Sequence, residues 1–411
     1  MKSLTLSLLA ALSLGTGFAQ QRPLPIVQPA LPGAAQPIPP GYRPIAPLPT
    51  LTLTPAIPEV SRVEYASNGS IEAAHALILL PRIQLRPGFS LTLSQAAVQR
   101  SFAARPGLAE VDVSVYVRET YGGFGGPSPL LTASVPRERL AAFLKLTPAT
   151  LGSYPRLWQN PAQEPGQPRR APSGETSREA PEPAPTFEGS KNQTLFQRLE
   201  QSLSAFRGPR ADSGVIYAGS PRVRTAALTF DDAVHPLYEP LLLDSLRRGG
   251  AKATFFAVGR NIEAYPYFAQ DIVQQGHELA NHTFHHVRLP GLSMQAIREE
   301  LEQTDDLIVK VTGQDARYFR PPGGRYSPQV LAVAKSLGLT TAFWTDDPAD
   351  FNNPGASVIE SRLSSHLRPG GIVLLHDNAQ QTIGLLSDFI NDARGQGYTL
   401  VTLQTLAASA R

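Results

Sequence analysis

The chain has 411 residues, too many for one typical domain and enough for two or three. Lys+Arg minus Asp+Glu is 37 − 34 = +3, so no strong basic field points to nucleic acid as a partner. There is no cysteine, which excludes disulfides, thiolate metal ligands, a cysteine nucleophile and a lipid-modified N-terminal cysteine.

In chain order, residues 1–19 read as a signal peptide. Lys2 is a minimal basic start, Leu4 to Leu14 is apolar apart from Thr and Ser, and Gly17-Phe18-Ala19 forms a small-x-small cleavage site. Leu4 to Phe18 covers 15 residues, short of the ~20 that a spanning helix needs. No later segment is apolar enough to cross a bilayer. The expectation is therefore a secreted, periplasmic or cell-envelope protein with no integral membrane segment after cleavage. Residues 20–59 are expected to be a spacer. From Gln21 to Pro58, 12 of 38 residues are proline, a composition that favours extended polyproline II over a packed core.

Residues 60–158 regain hydrophobic periodicity and predict a small α+β domain. Val111, Val113, Val115 and Val117 alternate with Asp112, Ser114, Tyr116 and Arg118, the pattern of a strand with one buried face. Ala76–Leu80 and Leu130–Val135 read as further strands, and Ser94–Ala104 and Pro136–Leu146 as helices. With one His and no clustered acids, this part suggests binding or positioning rather than chemistry. Residues 159–190 are a second proline-rich linker, and 191–221 a lead-in helix (Asn192 to Phe206) and connection.

From 222 to 404 the texture becomes short apolar runs alternating with capped helical segments, the βα pattern of a parallel sheet. Seven strands are expected: Ala226–Phe230, Ala253–Ala257, His277–Ala280, Tyr318–Phe319, Thr341–Trp344, Ile372–Leu375 and Thr399–Leu403. Punctuation agrees. Ser327-Pro328 is an N-cap with proline at N1, Gly338 closes that helix, Ser357 and Glu360 are spaced as a capping box, and Gly276 and Gly313 sit where C′ glycines belong. The fold class is α/β: a distorted parallel (β/α) barrel of about seven strands, preceded by the small α+β domain. Its strands, buried on both sides, are accordingly unbroken apolar runs.

In a parallel barrel, functional side chains gather past the carboxyl ends of the strands. Asp231 and Asp232 follow Leu228-Thr229-Phe230, and His282 and His286 follow Glu278 to Asn281. Arg320-Pro321-Pro322 follows Tyr318-Phe319, Asp347 and Asp350 follow Phe343-Trp344, and His376 ends Ile372–Leu375. Seven of the eight histidines lie between 235 and 376. On one helical turn His282 and His286 would point the same way, as two ligands of one metal require. An isolated HxxxH is more often a pair of surface histidines; Asp232 on a neighbouring strand changes this by completing a His₂Asp set with an open fourth position. Such a nitrogen and oxygen donor set suits zinc, and it also admits cobalt, nickel or manganese. Asp231, held off the metal, can act as general base. Arg320 would keep that base ionised and oriented. His376 is a candidate general acid, and Asp350 the carboxylate that orients it and raises its pKa.

These residues stand in segments that closely resemble the polysaccharide deacetylases of carbohydrate esterase family four. The segments are Thr-Phe-Asp-Asp (229–232), Ala-Thr-Phe-Phe (253–256), Gly-His-Glu-Leu-Ala-Asn-His-Thr-Phe-His-His (276–286), Phe-Arg-Pro-Pro-Gly-Gly (319–324) and Ile-Val-Leu-Leu-His-Asp (372–377). The resemblance covers about 222–403, 182 of 411 residues. It implies a distorted barrel and metal-dependent hydrolysis of N-acetyl, sometimes O-acetyl, groups of an acetylated polysaccharide. Carried over, Asp231 matches the base, Asp232, His282 and His286 the metal ligands, Arg320 the base-orienting arginine, His376 the acid and Asp350 its tuning carboxylate. His285 falls on a variable position. Pro322, Gly323 and Phe351 match substrate and oxyanion positions. Gly323 stands where many members have tyrosine, keeping the backbone N–H as oxyanion donor while losing an aromatic wall. Phe351 replaces a common tryptophan, and Ala233 a common glycine. Two other readings are a glycan-binding relative without activity and a deacylase of a non-glycan amide. Survival of base, ligands and acid argues against the first, and export with a proline-rich spacer against the second. The resemblance does not distinguish peptidoglycan, chitin-like oligosaccharide, glucosamine polymer or acetylated xylan.

Overall fold

Inward and outward positions along the parallel strands differ by one residue, and that parity builds the molecule around its site. On β7 (Thr225–Ala233), Ala226, Leu228 and Phe230 face the outer helices, while Ala227, Thr229 and Asp231 take the alternate positions. On β12 (Gly371–His376), Val373 and Leu375 join the same outer layer, whereas Ile372, Leu374 and His376 have the other parity. Both strands are buried on both faces, so nearly every residue is apolar until the last inward position, which carries chemistry. The computed structural model describes residues 47–123, 126–163 and 214–409. The expected signal peptide, most of both proline-rich segments and the Asn192 to Phe206 helix lie outside these residues. The described residues fall within one compact unit, residues 41–411.

The C-terminal half is a distorted parallel (β/α) barrel. Besides β7 and β12 it contains β8 (Ala253–Ala257), β9 (Glu278–Asn281), β10 (Tyr318–Phe319), β11 (Thr340–Ala342) and β13 (Thr399–Val401). Among the described residues of this half there is one more strand than the sequence pattern implies, β6 (Val215–Ile216), inside the stretch expected to be a connection. Two residues carry too little periodicity to be read as a strand; pairing with β11 makes them one. The order is β12-β7-β8-β9-β10-β11-β6, with β13 on β7. A single parallel bridge, Asp346 to Val373, joins the chain after β11 to β12. Helices follow the strands as expected, with one local exception. Ser327 caps Pro328–Ser336 through its side chain, and Gly313 closes Met294–Thr312 in the left-handed region. The exception is the helix Ala356–His366, which starts at Gly355 without a side-chain cap, so Ser357 lies inside it and the capping box does not form.

The N-terminal module is a five-stranded sheet, β1 (Val60–Ser67), β2 (Glu72–Leu80), β3 (Leu108–Val117), β4 (Leu131–Pro136) and β5 (Leu157–Gln159), in sequential order. β2 and β3 are parallel, which requires the crossover helix Phe89–Ala104. That helix covers the apolar face with Leu91, Ala97, Val98 and Phe102. The expected helix over Pro136–Leu146 is a 3₁₀ turn, Arg137–Arg139, followed by Leu140–Leu144. Residues 47–58, inside the expected spacer, are packed: Thr50 bridges Glu64, and Leu53 and Ile57 are buried in the module core.

The single buried face expected for β3 is corrected, since nearly all of this strand is buried on both sides. The reason is tertiary. Its polar face lies against the barrel: Ser114 Oγ and Tyr116 Oη are 3.0 and 3.1 Å from Tyr265 Oη. Thr132 donates to the Ala264 carbonyl. Arg156 pairs with Glu110 at 2.8 Å and with Asp271 of the barrel. Asn68 donates to the Leu241 carbonyl and to Asp244, both at 2.9 Å. Polar residues alternating with valines thus mark a docking face here, because side chains that water could satisfy can equally be satisfied by a second polar surface.

Candidate active site

His376 and Asp231 are direct register partners on β12 and β7. Adjacent strands lie about 4.8 Å apart, so two inward residues at the strand ends share one small volume. Asp231 is buried, and Arg320 Nη1 donates to its Oδ1 at 2.7 Å and to Thr229 Oγ1 at 2.9 Å. The remaining guanidinium nitrogens reach the Ala342 and Phe343 carbonyls at 3.3 and 3.2 Å. The guanidinium lies 4.1 Å from the Phe256 ring centre. Burial lowers its affinity for its proton and Asp231 opposes that loss.

The same arginine serves the neighbouring loop through its backbone. The Arg320 carbonyl lies 2.8 Å from His282 Nδ1, which selects the tautomer with the proton on Nδ1 and leaves Nε2 as an acceptor. Arg320 N–H in turn donates to the Asn281 carbonyl at 3.0 Å. One atom each from Asp232, His282 and His286 come within 4.8 Å of one another. His286 Nε2 is 3.1 Å and His282 Nε2 3.6 Å from Asp232 Oδ1. Burial alone would raise the Asp232 carboxyl; chiefly the charge of His286 overrides it and holds it well below the usual carboxylate range. The residues therefore fit a divalent cation. Asp232 Oδ1 and His282 Nε2 are buried without a hydrogen-bond partner, three donors converge, and none is a thiolate.

The two histidines are not on a helical turn, which corrects the sequence expectation. Residues 282–286 form an irregular loop in which Thr283 and His286 have positive φ, 66° and 57°. Their ring centres are still 5.0 Å apart. Asp232 also has φ 71°, so two of the three candidate ligands adopt a conformation uncommon for residues other than glycine.

On the opposite side, Asp350 clasps His376. Its Oδ1 is 2.7 Å from the ring Nδ1, and its Oδ2 accepts from the His376 backbone N–H at 2.9 Å and from Thr382 Oγ1 at 2.7 Å. Burial would lower the imidazolium pKa, but the charge and hydrogen bond of Asp350 raise it to about 9. Asp350 opens a 3₁₀ turn, Asp350–Asn352, in the loop after β11. Phe351 meets the His376 ring edge-on, with centres 5.3 Å apart. Pro322 and Gly323 form the turn that leaves β10 just after Arg320, with Gly323 at φ 62°. A side chain at 323 would meet open space, so only its backbone angle favours glycine.

All ten residues singled out in the sequence thus lie on this end of the barrel or in the turns leaving it. Several partners went unread. Asn281 donates to the Leu301 carbonyl (2.9 Å) and Asp305 (2.7 Å) and accepts from Thr283 N–H (2.8 Å), bracing the ligand loop. Glu300 accepts from the backbone of Phe284 and His285 and is 2.7 Å from His285 Nδ1, which turns that histidine out of the ligand set. Thr229 and Thr382 hold Arg320 and Asp350. Thr229 could have been read from inward parity with Asp231; Glu300, on a helix 14 residues beyond His286, leaves no sequence signal.

A family model described as polysaccharide deacetylase matches residues 218–342. A peptidoglycan-N-acetylglucosamine deacetylase of Bacillus cereus is 35% identical over 185 residues, covering 44% of this chain and 86% of the relative. A peptidoglycan-N-acetylmuramic acid deacetylase of Bacillus subtilis is 34% identical over 194 residues, covering 46% and 74%. A chitooligosaccharide deacetylase of Sinorhizobium fredii is 32% identical over 201 residues, covering 44% and 94%.

Proposed function

The chain belongs to the polysaccharide deacetylases of carbohydrate esterase family four, and from that premise we propose that it is an exported, metal-dependent enzyme hydrolysing N-acetyl groups of an envelope polysaccharide. The observation that carries the reading is the register pairing of Asp231 with His376, flanked by the converging Asp232, His282 and His286. Asp232, His282 and His286 would hold the cation, with zinc the ion best suited to two imidazoles and a carboxylate. When bound, the cation supplies Lewis acidity to the acetyl carbonyl and makes water a better nucleophile.

The chain's own groups supply the proton transfers. Asp231, fixed by Arg320, accepts the proton of the attacking water as its oxygen adds to the carbonyl carbon. The backbone N–H at Gly323 is the candidate donor to the developing oxyanion. The carbon–nitrogen bond then breaks, and His376, protonated and oriented by Asp350, delivers a proton to the leaving nitrogen, since an amide nitrogen cannot leave as an anion. The products are acetate and a free amine on the sugar. An O-acetyl group needs less help from the acid, because an alkoxide leaves more readily. The relatives named as peptidoglycan and chitooligosaccharide deacetylases support an amino-sugar polymer as the substrate class.

Acetate release from peptidoglycan, chitin oligosaccharides, a glucosamine polymer and acetylated xylan tests this reading, with chelator and with zinc, cobalt, nickel or manganese restored. Release from an N-acetylated polymer that chelator abolishes and metal restores is expected. Undiminished release after chelation, or no release from any polymer, refutes it.

A further inference from the structure

At one end of the contact between the N-terminal sheet and the barrel a cleft opens that the reaction does not use. Tyr116 and Tyr238 are its most buried aromatic walls, and Arg62, Glu64 and Tyr121 of the module and His235 of the barrel are more exposed. The module and the barrel contribute to it jointly, so neither part alone possesses it.

The cleft adjoins the catalytic residues by covalent connection. His235 is three residues from Asp232, hence within about 11 Å even for fully extended chain. The loop is tied further: Asp377 accepts a hydrogen bond from the His235 backbone, and its own N–H donates to the Asp231 carbonyl at 3.0 Å. One short, hydrogen-bonded loop thus carries Asp231 and Asp232 at its start and the cleft residue His235 further along.

Its chemistry suits a neutral sugar. Tyr116 and Tyr121 lie 4.9 Å apart at 58°, and His235 and Tyr238 stack on one another at 4.6 Å, so aromatic rings line it. At the rim, Arg62 Nε and Glu64 Oε2 pair at 2.9 Å with side chains 45% and 24% exposed, setting donors and acceptors side by side. Their charges cancel. Burial also pulls the His75 and His235 imidazoles down to about 3, so neither adds charge at neutral pH. Aromatic faces for C–H surfaces and a paired donor and acceptor for hydroxyls are the groups that orient a ring without attracting an ion.

We propose that this cleft is a carbohydrate subsite that binds a neutral sugar unit adjoining the one deacetylated, so that the N-terminal module makes the enzyme favour long chains. The proposal rests on the deacetylase reading for the identity of the polymer. Its test is calorimetric binding of N-acetylglucosamine dimer and hexamer to the full chain carrying Asp231→Asn, which prevents turnover. The hexamer is expected to bind at least tenfold more tightly than the dimer. Tyr121→Ala or Arg62→Ala, both at partly exposed positions, should remove most of that ratio. A hexamer that binds no tighter than the dimer, or a ratio unchanged in both variants, overturns the proposal. Failure of the deacetylase reading looks different: the native chain would release no acetate, while the hexamer preference and its loss in the variants would persist.

Discussion

Arg320 works with both ends of one residue. Its guanidinium fixes Asp231 while its carbonyl fixes the tautomer of His282, so the proposed base and a candidate metal ligand are oriented by the same buried group. The two adjacent aspartates then separate by role. Asp231→Asn should retain metal, because Asp232 and both histidines remain, yet lose ~10²–10⁴-fold in turnover, the usual worth of a general base. Asp232→Asn, His282→Ala or His286→Ala should instead lose stoichiometric metal, as read by metal analysis of the purified variants. The opposite pattern would reverse the two assignments. As the proposed acid, His376 is expected to set the pH dependence. In that role it acts protonated, and with its pKa raised to about 9 it stays protonated below that pH and loses the proton above it. The alkaline limb of kcat/KM against pH is therefore expected near 9. Asp350→Asn removes the neighbour that raises this pKa, so the limb should move to lower pH. An unmoved limb would mean that another group is the acid.

At the scale of elements, the loop of the two candidate histidine ligands is irregular backbone held by its neighbours. Residues 282–286 have no regular hydrogen-bond ladder; Asn281 and Glu300 supply acceptors for the amides of Thr283, Phe284 and His285. Two positive φ angles in the loop persist because surrounding structure over-determines them. Asn281→Ala deletes three hydrogen bonds at once, two of them buried, and touches no candidate ligand. It should weaken metal binding ~10–100-fold, the range seen when groups behind the ligands are removed, measured by competition with a chelating dye. Wild-type affinity in that variant would show that β9 alone positions His282.

For the whole molecule, the question is how a module with an unreactive composition comes to sit against the barrel. Its sheet uses the polar face for docking. Arg156, with a side chain 14% exposed, bridges Glu110 of its own sheet and Asp271 of the barrel helix Pro266–Gln274. Removing one partner of such a buried group leaves carboxylates uncompensated, so Arg156→Ala should cost about 3 kcal/mol. Thermal or denaturant unfolding of the full chain would read this, and Asp271→Asn in the same background should add less than its separate effect. A neutral Arg156→Ala would mean that the hydroxyl contacts of Tyr265 and Thr132 carry the docking.

The residue types and spacings by themselves determined most of the catalytic half. Strand parity alone predicts that Asp231 and His376 end inward positions, because side chains alternate with period two whatever lies around them. Left-handed glycines, the Ser327 cap and the apolar runs are likewise local, since each depends on backbone geometry or solvent exclusion within a few residues. Tertiary structure decided the rest. Val215–Ile216 becomes a strand only beside β11, the histidine loop is bent by Asn281 and Glu300, and Ser357 cannot cap a helix that Gly355 begins. It also decided that Asp112, Ser114 and Tyr116 face protein rather than water. A polar side chain satisfied by solvent and one satisfied by a second domain read alike in sequence, because hydrogen bonding fixes the chemistry of the partner and leaves its distance along the chain open.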